Sequence, residues 1–131
     1  MSVELTMLAY SAALLFVLVM VQAGAGIRSV GAVPLANSRD DLPPPKGFHA
    51  RALRCVDNHR EGLTMFAPLV LIAAVAQVSN GTTVLAAQMF FWSRVVHAVL
   101  YLTGAPMVRP LAWAVSIAAT VMMFGALVGW F

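Results

Sequence analysis

The chain has 131 residues, the length of one domain, and only 10% of them are Asp, Glu, Lys or Arg, against about 25% in soluble domains. Its net charge of +3 comes without a basic face interleaved with aromatic residues, which argues against nucleic acid as a partner. The single cysteine excludes an intrachain disulfide. Because 61% of the residues are hydrophobic and the apolar runs do not alternate as in a barrel, we predict an all-α integral membrane protein.

The first half of the chain predicts two membrane spans joined by a long polar loop. Span one covers approximately residues 5–27; it lacks a basic n-region and is too long for a signal peptide, so we expect it to be retained. The loop over residues 30–47 is broken by four prolines. Span two covers approximately residues 48–78 and opens with a polar third.

The second half predicts two further spans with short connections. The sequence SNGT at residues 79–82 is typical of a tight turn and leads into span three, approximately residues 83–102. A short loop with two prolines, residues 103–110, precedes span four, approximately residues 111–131. We therefore predict one domain, residues 1–131, folded as a four-helix membrane bundle.

The distribution of Lys and Arg predicts the orientation of this bundle. Arg109 lies in the third loop, whereas the second loop and both termini carry no Lys or Arg. The remaining basic residues outside span three cluster around the first loop: Arg28, Arg39, Lys46, Arg51, Arg54 and Arg60. By the positive-inside rule, loops one and three face the cytosol and both termini lie on the opposite side.

Polar side chains form stripes on spans two and three. At 100° per residue, four polar residues of span two lie within about 80° of one another: Arg51, Arg54, Asn58 and Glu61. On span three, an equivalent stripe is about 60° wide and contains Phe90, Arg94, His97 and Tyr101.

Arg94 has two interpretations. A charge near the middle of a span costs about 2.5–3.5 kcal/mol on insertion scales, so such residues face the bundle interior and are paired. Glu61 on span two is an available partner, and a buried Arg94–Glu61 ion pair would need no function. One carboxylate cannot neutralise the whole set of arginines, however. We therefore favour a pocket for an anionic ligand with several hydrogen-bond acceptors.

Two motifs in this region resemble those of the MAPEG family, the membrane-associated proteins in eicosanoid and glutathione metabolism. Residues 51–71, RALRCVDNHREGLTMFAPLVL, are similar to the family's R-x-x-R-x-x-x-N-x-x-E motif. Residues 94–113, RVVHAVLYLTGAPMVRPLAW, are similar to its R-x-x-H-x-x-x-Y motif, followed by an arginine at the start of the last span. The similarity covers nearly the whole chain. The second motif resembles the microsomal glutathione transferase and prostaglandin E synthase branch more than the leukotriene C synthases, and the chain resembles a bacterial member of that branch.

The resemblance implies a homotrimer that binds glutathione between neighbouring subunits near the cytosolic face. It implies that Arg109 lies next to the glutathione sulfur as the catalytic residue. The other residues implied to bind glutathione are Arg28, Arg51, Arg54, Asn58, Glu61, Arg94, His97 and Tyr101. Two positions depart from some relatives, with Pro110 in place of serine and Trp113 in place of tyrosine, which argues against prostaglandin isomerisation.

The function implied by the resemblance is that of a membrane-bound glutathione transferase or peroxidase. Glutathione, the co-substrate, would react as its thiolate, stabilised by an arginine that cannot itself accept the proton. The thiolate would attack a lipophilic electrophile or lipid hydroperoxide arriving from the bilayer, which for a bacterial protein is the inner membrane. Two alternatives remain: a non-catalytic lipid-binding or scaffold protein of the same fold, and a small transporter, against which the lack of a broken-helix pair argues.

A metal site is a weaker hypothesis. Cys55 and His59 are spaced i, i+4, and His49 and His97 add two possible ligands, but no recognised metal-binding motif accompanies them. We predict no metal. Cys55 is expected to be a small packing residue, and His59 is expected to face solvent or lipid headgroups.

Overall fold

The computed structural model describes residues 1–131 and is helical, without strands. Its elements in chain order are α1 (Val3–Val30), α2 (Ala32–Ala36), α3 (Gly47–Val75), α4 (Gly81–Thr103) and α5 (Arg109–Val128). The four long helices pack against one another: α1 contacts α3 and α4, and α5 contacts both α3 and α4. The ends of the four long helices lie within three residues of the bounds predicted for the four spans. The short helix α2 lies in the first loop and was not predicted.

Three of these helices, α1, α4 and α5, are long and apolar enough to cross a membrane. Helix α3 has 29 residues and is long enough to cross a membrane. Because its first part is polar, its composition is not apolar enough for it to count among these helices. That α3 is a fourth span, and that the chain forms a trimer, remain predictions.

Local sequence signals account for both ends of α4. At its start, the Asn80 side chain accepts hydrogen bonds from the backbone N–H groups of Thr82 (2.9 Å) and Thr83 (3.1 Å). The Thr83 hydroxyl accepts in return from the Asn80 N–H at 2.9 Å, which completes a capping box. The helix ends at Gly104, whose φ of 75° is a left-handed conformation that glycine adopts without steric cost.

The interior consists of two apolar clusters separated along α4 by a polar one. In the larger cluster, the rings of Phe66 and Phe90 stack with centroids 4.0 Å apart. The smaller cluster contains Leu18, Cys55, Val56 and Ala98. Cys55 is completely buried there, which confirms its predicted packing role. Arg94 lies between the two clusters, one helical turn from Phe90 and one from Ala98.

Candidate functional site

Arg94 is the centre of a buried polar cluster that joins three helices. Its side chain is 1% exposed. The guanidinium donates from Nη2 to Asn58 Oδ1 at 2.8 Å, from Nη1 to Ser116 Oγ at 3.3 Å and from Nε to His59 Nδ1 at 3.4 Å. A Cβ at Gly62 would lie 3.4 Å from Arg94 Cζ, an ordinary van der Waals distance, so the guanidinium lies against α3 at this glycine. All three hydrogen-bond partners are uncharged side chains.

His59 is buried, in contrast to the expected exposed position. It is 1% exposed, and its Nε2 lies 2.9 Å from the backbone carbonyl oxygen of Ser11 on α1. A carbonyl only accepts hydrogen bonds, so Nε2 carries the proton and Nδ1 accepts from Arg94. The expectation was wrong because α1 packs over this face of α3. The sequence spacing within α3 alone does not show which neighbouring helix covers each face.

The Arg94–Glu61 ion pair considered from sequence is absent within the protomer. Asn58, His59 and Gly62 form the face of α3 that meets Arg94, and Glu61 is exposed on the outer surface of the helix. The chain has one salt bridge, between Arg60 and Asp57 at 2.5 Å, with both side chains 65% exposed. No carboxylate within the protomer therefore forms an ion pair with the buried cation.

A second group of site candidates lies where α4 ends and α5 begins. Arg109 Cζ lies 4.4 Å from the centroid of the Tyr101 ring, within the range of a cation–π interaction. The ring of His97 lies 5.4 Å from that of Tyr101. Arg51 reaches the same end of the protein, where its Nε donates to the backbone oxygen of Leu102 at 3.3 Å.

The structure thus places six of the nine predicted site residues on or against α4. Two of them, Arg94 and Asn58, form the buried hydrogen bond, and the other four lie at the C-terminal end of α4: Arg51, His97, Tyr101 and Arg109. Three predicted residues are exposed and form no salt bridge: Arg28, Arg54 and Glu61. Arg28 and Arg54 lie toward the first-loop ends of α1 and α3, Glu61 lies in the middle of α3, and none of the three forms a hydrogen bond with the Arg94 cluster.

Three residues of the cluster were not predicted: Ser11, His59 and Ser116. Ser116 has a detectable signal, since it is a hydroxyl residue within the apolar last helix. Ser11 contributes a backbone oxygen, for which no side-chain signal exists.

Chemically, the first-loop end of the protein has a cationic surface, and the buried Arg94 lies beneath it. Five arginines have no carboxylate partner within the protomer: Arg28, Arg51, Arg54 and Arg109 at that end, and Arg94 in the interior. Guanidinium groups match carboxylates in a two-point geometry and retain their charge at all physiological pH values. No three His, Cys, Asp or Glu side chains are grouped as metal ligands. The arrangement therefore favours an anionic organic ligand.

Comparison with known proteins identifies one family. The model of the MAPEG family matches residues 7–129, which is nearly the entire chain. Neither the curated proteins nor the solved structures contain a significant match.

Proposed function

The chain belongs to the MAPEG family and is an integral membrane protein with three apolar helices, and from this premise we propose that it is a glutathione transferase or peroxidase. Glutathione would be its co-substrate. The second substrate would be a lipophilic electrophile or a lipid hydroperoxide that reaches the site from the bilayer.

The observation that carries this proposal is the unneutralised positive charge inside the bundle and at its first-loop end. Arg94 is buried with uncharged partners only, and Arg109 and Arg51 lie near the end of the same helix. An uncompensated cation in a low-dielectric interior is costly. An anionic ligand with two carboxylates, such as glutathione, offsets that cost when it binds.

A homotrimer completes the proposed site. Glu61 lies about 21 Å along α3 from Gly47 at 1.5 Å per residue, and both Glu61 and Arg54 are exposed on the protomer. If α3 crosses the membrane, charged side chains at this depth cannot face lipid without a large penalty. We propose that neighbouring subunits cover them, with glutathione in the interface and with α3 as the fourth span of a single domain, residues 1–131.

Within this site we assign binding and catalytic roles to the predicted residues. Arg94 fixes the amide of Asn58 through a 2.8 Å hydrogen bond, and that amide then has its NH₂ group free to donate to a ligand carbonyl. Glu61 would accept from the glutathione ammonium. The remaining binding residues of the proposal are Arg28, Arg51, Arg54, His97 and Tyr101.

Arg109 is the proposed catalytic residue. It is the first residue of α5, where the partial positive charge of the helix N-terminus adds to that of its guanidinium. Both favour a thiolate over a thiol. In the transferase reaction the thiolate sulfur forms a bond to the electrophilic carbon, and the leaving group departs with the electron pair of the broken bond.

The predicted orientation of the bundle in the membrane places the proposed site on the side where reduced thiols are supplied. The site lies at the end of the bundle next to the basic first loop, which the positive-inside rule places in the cytosol. Reduced low-molecular-weight thiols are kept in that compartment. We propose a bacterial inner-membrane protein with both termini on the non-cytosolic side.

The principal alternative is a non-catalytic lipid-binding or scaffold protein of the same fold. It differs from the enzyme in one measurable respect, because a scaffold has no need to ionise a bound thiol. A titration of thiolate absorbance in the ultraviolet, on the detergent-solubilised protein with glutathione, separates the two.

We expect Arg109→Ala to bind glutathione within several-fold of the wild-type affinity and to raise the pKa of the bound thiol by up to about two units, each equivalent to about 1.4 kcal/mol. Arg60→Ala is the matched control, since Arg60 is an exposed arginine paired with Asp57, and it should leave the titration unchanged. An unaltered curve in Arg109→Ala would assign thiolate stabilisation to another group. Failure of the wild-type protein to bind glutathione would overturn the proposed function.

A further inference from the structure

A second buried charge lies at the opposite end of the bundle from the arginines. Glu4, in the first turn of α1, is 3% exposed. Its Oε1 accepts hydrogen bonds from Ser79 Oγ at 2.8 Å and Thr83 Oγ1 at 2.6 Å. Its Oε2 is buried and has no hydrogen-bond partner. The carboxyl group thus has an unused acceptor.

No cation of the protomer neutralises this carboxylate. Glu4 forms no salt bridge, and there is no Lys or Arg in residues 1–27, 61–93 or 110–131. The α-amino group of Met1, the nearest cation in sequence, forms no salt bridge either. The two hydroxyl groups and the N-terminus of α1 favour its ionised form, so the carboxylate keeps a negative charge that no cation of the protomer neutralises. A cationic ligand would supply the missing counter-charge.

The cavity next to Glu4 indicates which kind of cation fits. It has a volume of about 290 Å³ and a mixed lining. Its polar residues are Ser2, Glu4, Gln77 and Ser79, and its apolar residues are Leu5, Val70, Ala73, Ala74 and Val78. A Ca²⁺ ion needs six to eight oxygen ligands and commonly several carboxylates, whereas this cavity offers one carboxylate. The apolar side chains that line the rest of the cavity provide no ligands for a metal ion.

We propose that this cavity binds a primary ammonium group that carries a short carbon chain. The ammonium charge would pair with the Glu4 carboxylate at the cavity wall, its N–H groups would donate to side-chain oxygens of the cavity, and its carbon chain would contact the apolar lining. Two sources offer this chemistry: the ethanolamine headgroup of a membrane phospholipid and a free alkylamine. The site is independent of the proposed glutathione chemistry, since it lies at the other end of the helices.

The test is thermal unfolding of the full chain in lipid nanodiscs of defined composition. Phosphatidylethanolamine mixed into phosphatidylcholine nanodiscs should raise the unfolding temperature of the wild-type protein by about 2–8 °C. Glu4→Gln keeps the size of the side chain and removes its charge, so it should lose this gain. Asp57→Asn is the matched control, because Asp57 is an exposed carboxylate paired with Arg60, and it should retain the gain.

Two further measurements identify the source and guard against a misfolded variant. Ethanolamine hydrochloride added to phosphatidylcholine nanodiscs should raise the unfolding temperature only if the free amine binds; a gain with the phospholipid alone assigns the headgroup. Gln77→Met removes a polar group of the cavity and leaves the Glu4 hydrogen bonds intact. It should reduce the gain in unfolding temperature, and it replaces Glu4→Gln as the test variant if that protein fails to fold. The proposal is overturned if neither amine raises the unfolding temperature of the wild-type protein. A stability that changes with pH and not with either amine is one such result. An equal gain in Glu4→Gln also overturns it.

Discussion

At the scale of single residues, Arg94 shows how a buried cation is retained in the absence of a carboxylate. Its three donors reach an amide oxygen, a hydroxyl and an imidazole nitrogen on two neighbouring helices. Hydrogen bonds between a charged and a neutral group contribute about 1.5–3 kcal/mol each, which offsets part of the cost of burial. The charge itself stays unneutralised, and this suits a residue that holds an anion-binding site in position.

We expect Arg94→Lys to destabilise the protein by about 1–3 kcal/mol, because a lysine ammonium cannot direct donors to Asn58, His59 and Ser116 in the planar geometry of a guanidinium. Thermal unfolding in detergent measures this loss. Arg60→Lys is the control and should change stability by less than about 0.5 kcal/mol, as for an exposed ion pair. Equal stability of Arg94→Lys and the wild-type protein would show that the planar guanidinium and its three hydrogen bonds do not contribute to stability.

The sequence predicted the burial of Arg94 but not its partners. A charge in the middle of an apolar run must face the interior, so its burial follows from the cost of exposing it to lipid. Its partners depend on the rotation of α3 and α5 about their own axes, which the periodicity of one helix does not determine. Glu61 was therefore considered as the partner, whereas Asn58, one turn earlier on α3, occupies that place.

At the scale of elements, the connection between α3 and α4 was predicted in its place but not in its detail. The segment SNGT, residues 79–82, was predicted as a turn from its composition, whereas in the structure the turn follows Val75 and α4 begins at Gly81 with a capping box. The five-residue helix α2 was missed because a segment of this length has no measurable periodicity. This connection also has a tertiary role that its composition does not reveal, since the hydroxyls of Ser79 and Thr83 both donate to Glu4 of α1.

We expect Asn80→Ala to cost about 0.5–2 kcal/mol of stability, typically about 1, because it removes the side-chain acceptor for two N–H groups at the start of α4. Denaturant or thermal unfolding in detergent is the measurement. Asn37→Ala provides the control, since Asn37 is an exposed asparagine at the C-terminal end of the short helix α2 and starts no helix. A loss of the same size in both variants would argue against a specific role of the cap.

At the scale of the whole molecule, charge and apolar length are distributed unequally among the helices. The polar stripe that makes α3 the centre of the proposed site is also the reason that α3 does not qualify by composition as a membrane span. A subunit that conceals this stripe from lipid needs a partner surface or a water-filled pocket.

The orientation of the whole molecule gives the last prediction. Arginines gather at the end of the bundle formed by the first and third loops, and the turn between α3 and α4 lies at the other end. In a Cys55→Ser background, Gly81→Cys should be labelled from outside the cell by a membrane-impermeant maleimide. Its side chain would be unobstructed, since a Cβ at Gly81 meets no atom within 4 Å. Asp41→Cys, in the exposed part of the first loop, should stay unlabelled until the membrane is opened.

This pair of variants tests the site and the topology together. Cys55 is completely buried, so replacing it removes a background thiol without altering either labelling position. Both introduced cysteines lie on exposed segments, and both should react in detergent, which controls for accessibility. If Asp41→Cys is labelled in intact cells and Gly81→Cys is protected, the arginine-rich end lies outside the cytosol. The proposed site would then lack its supply of reduced thiol, and the assignment of glutathione as co-substrate would fail with the orientation.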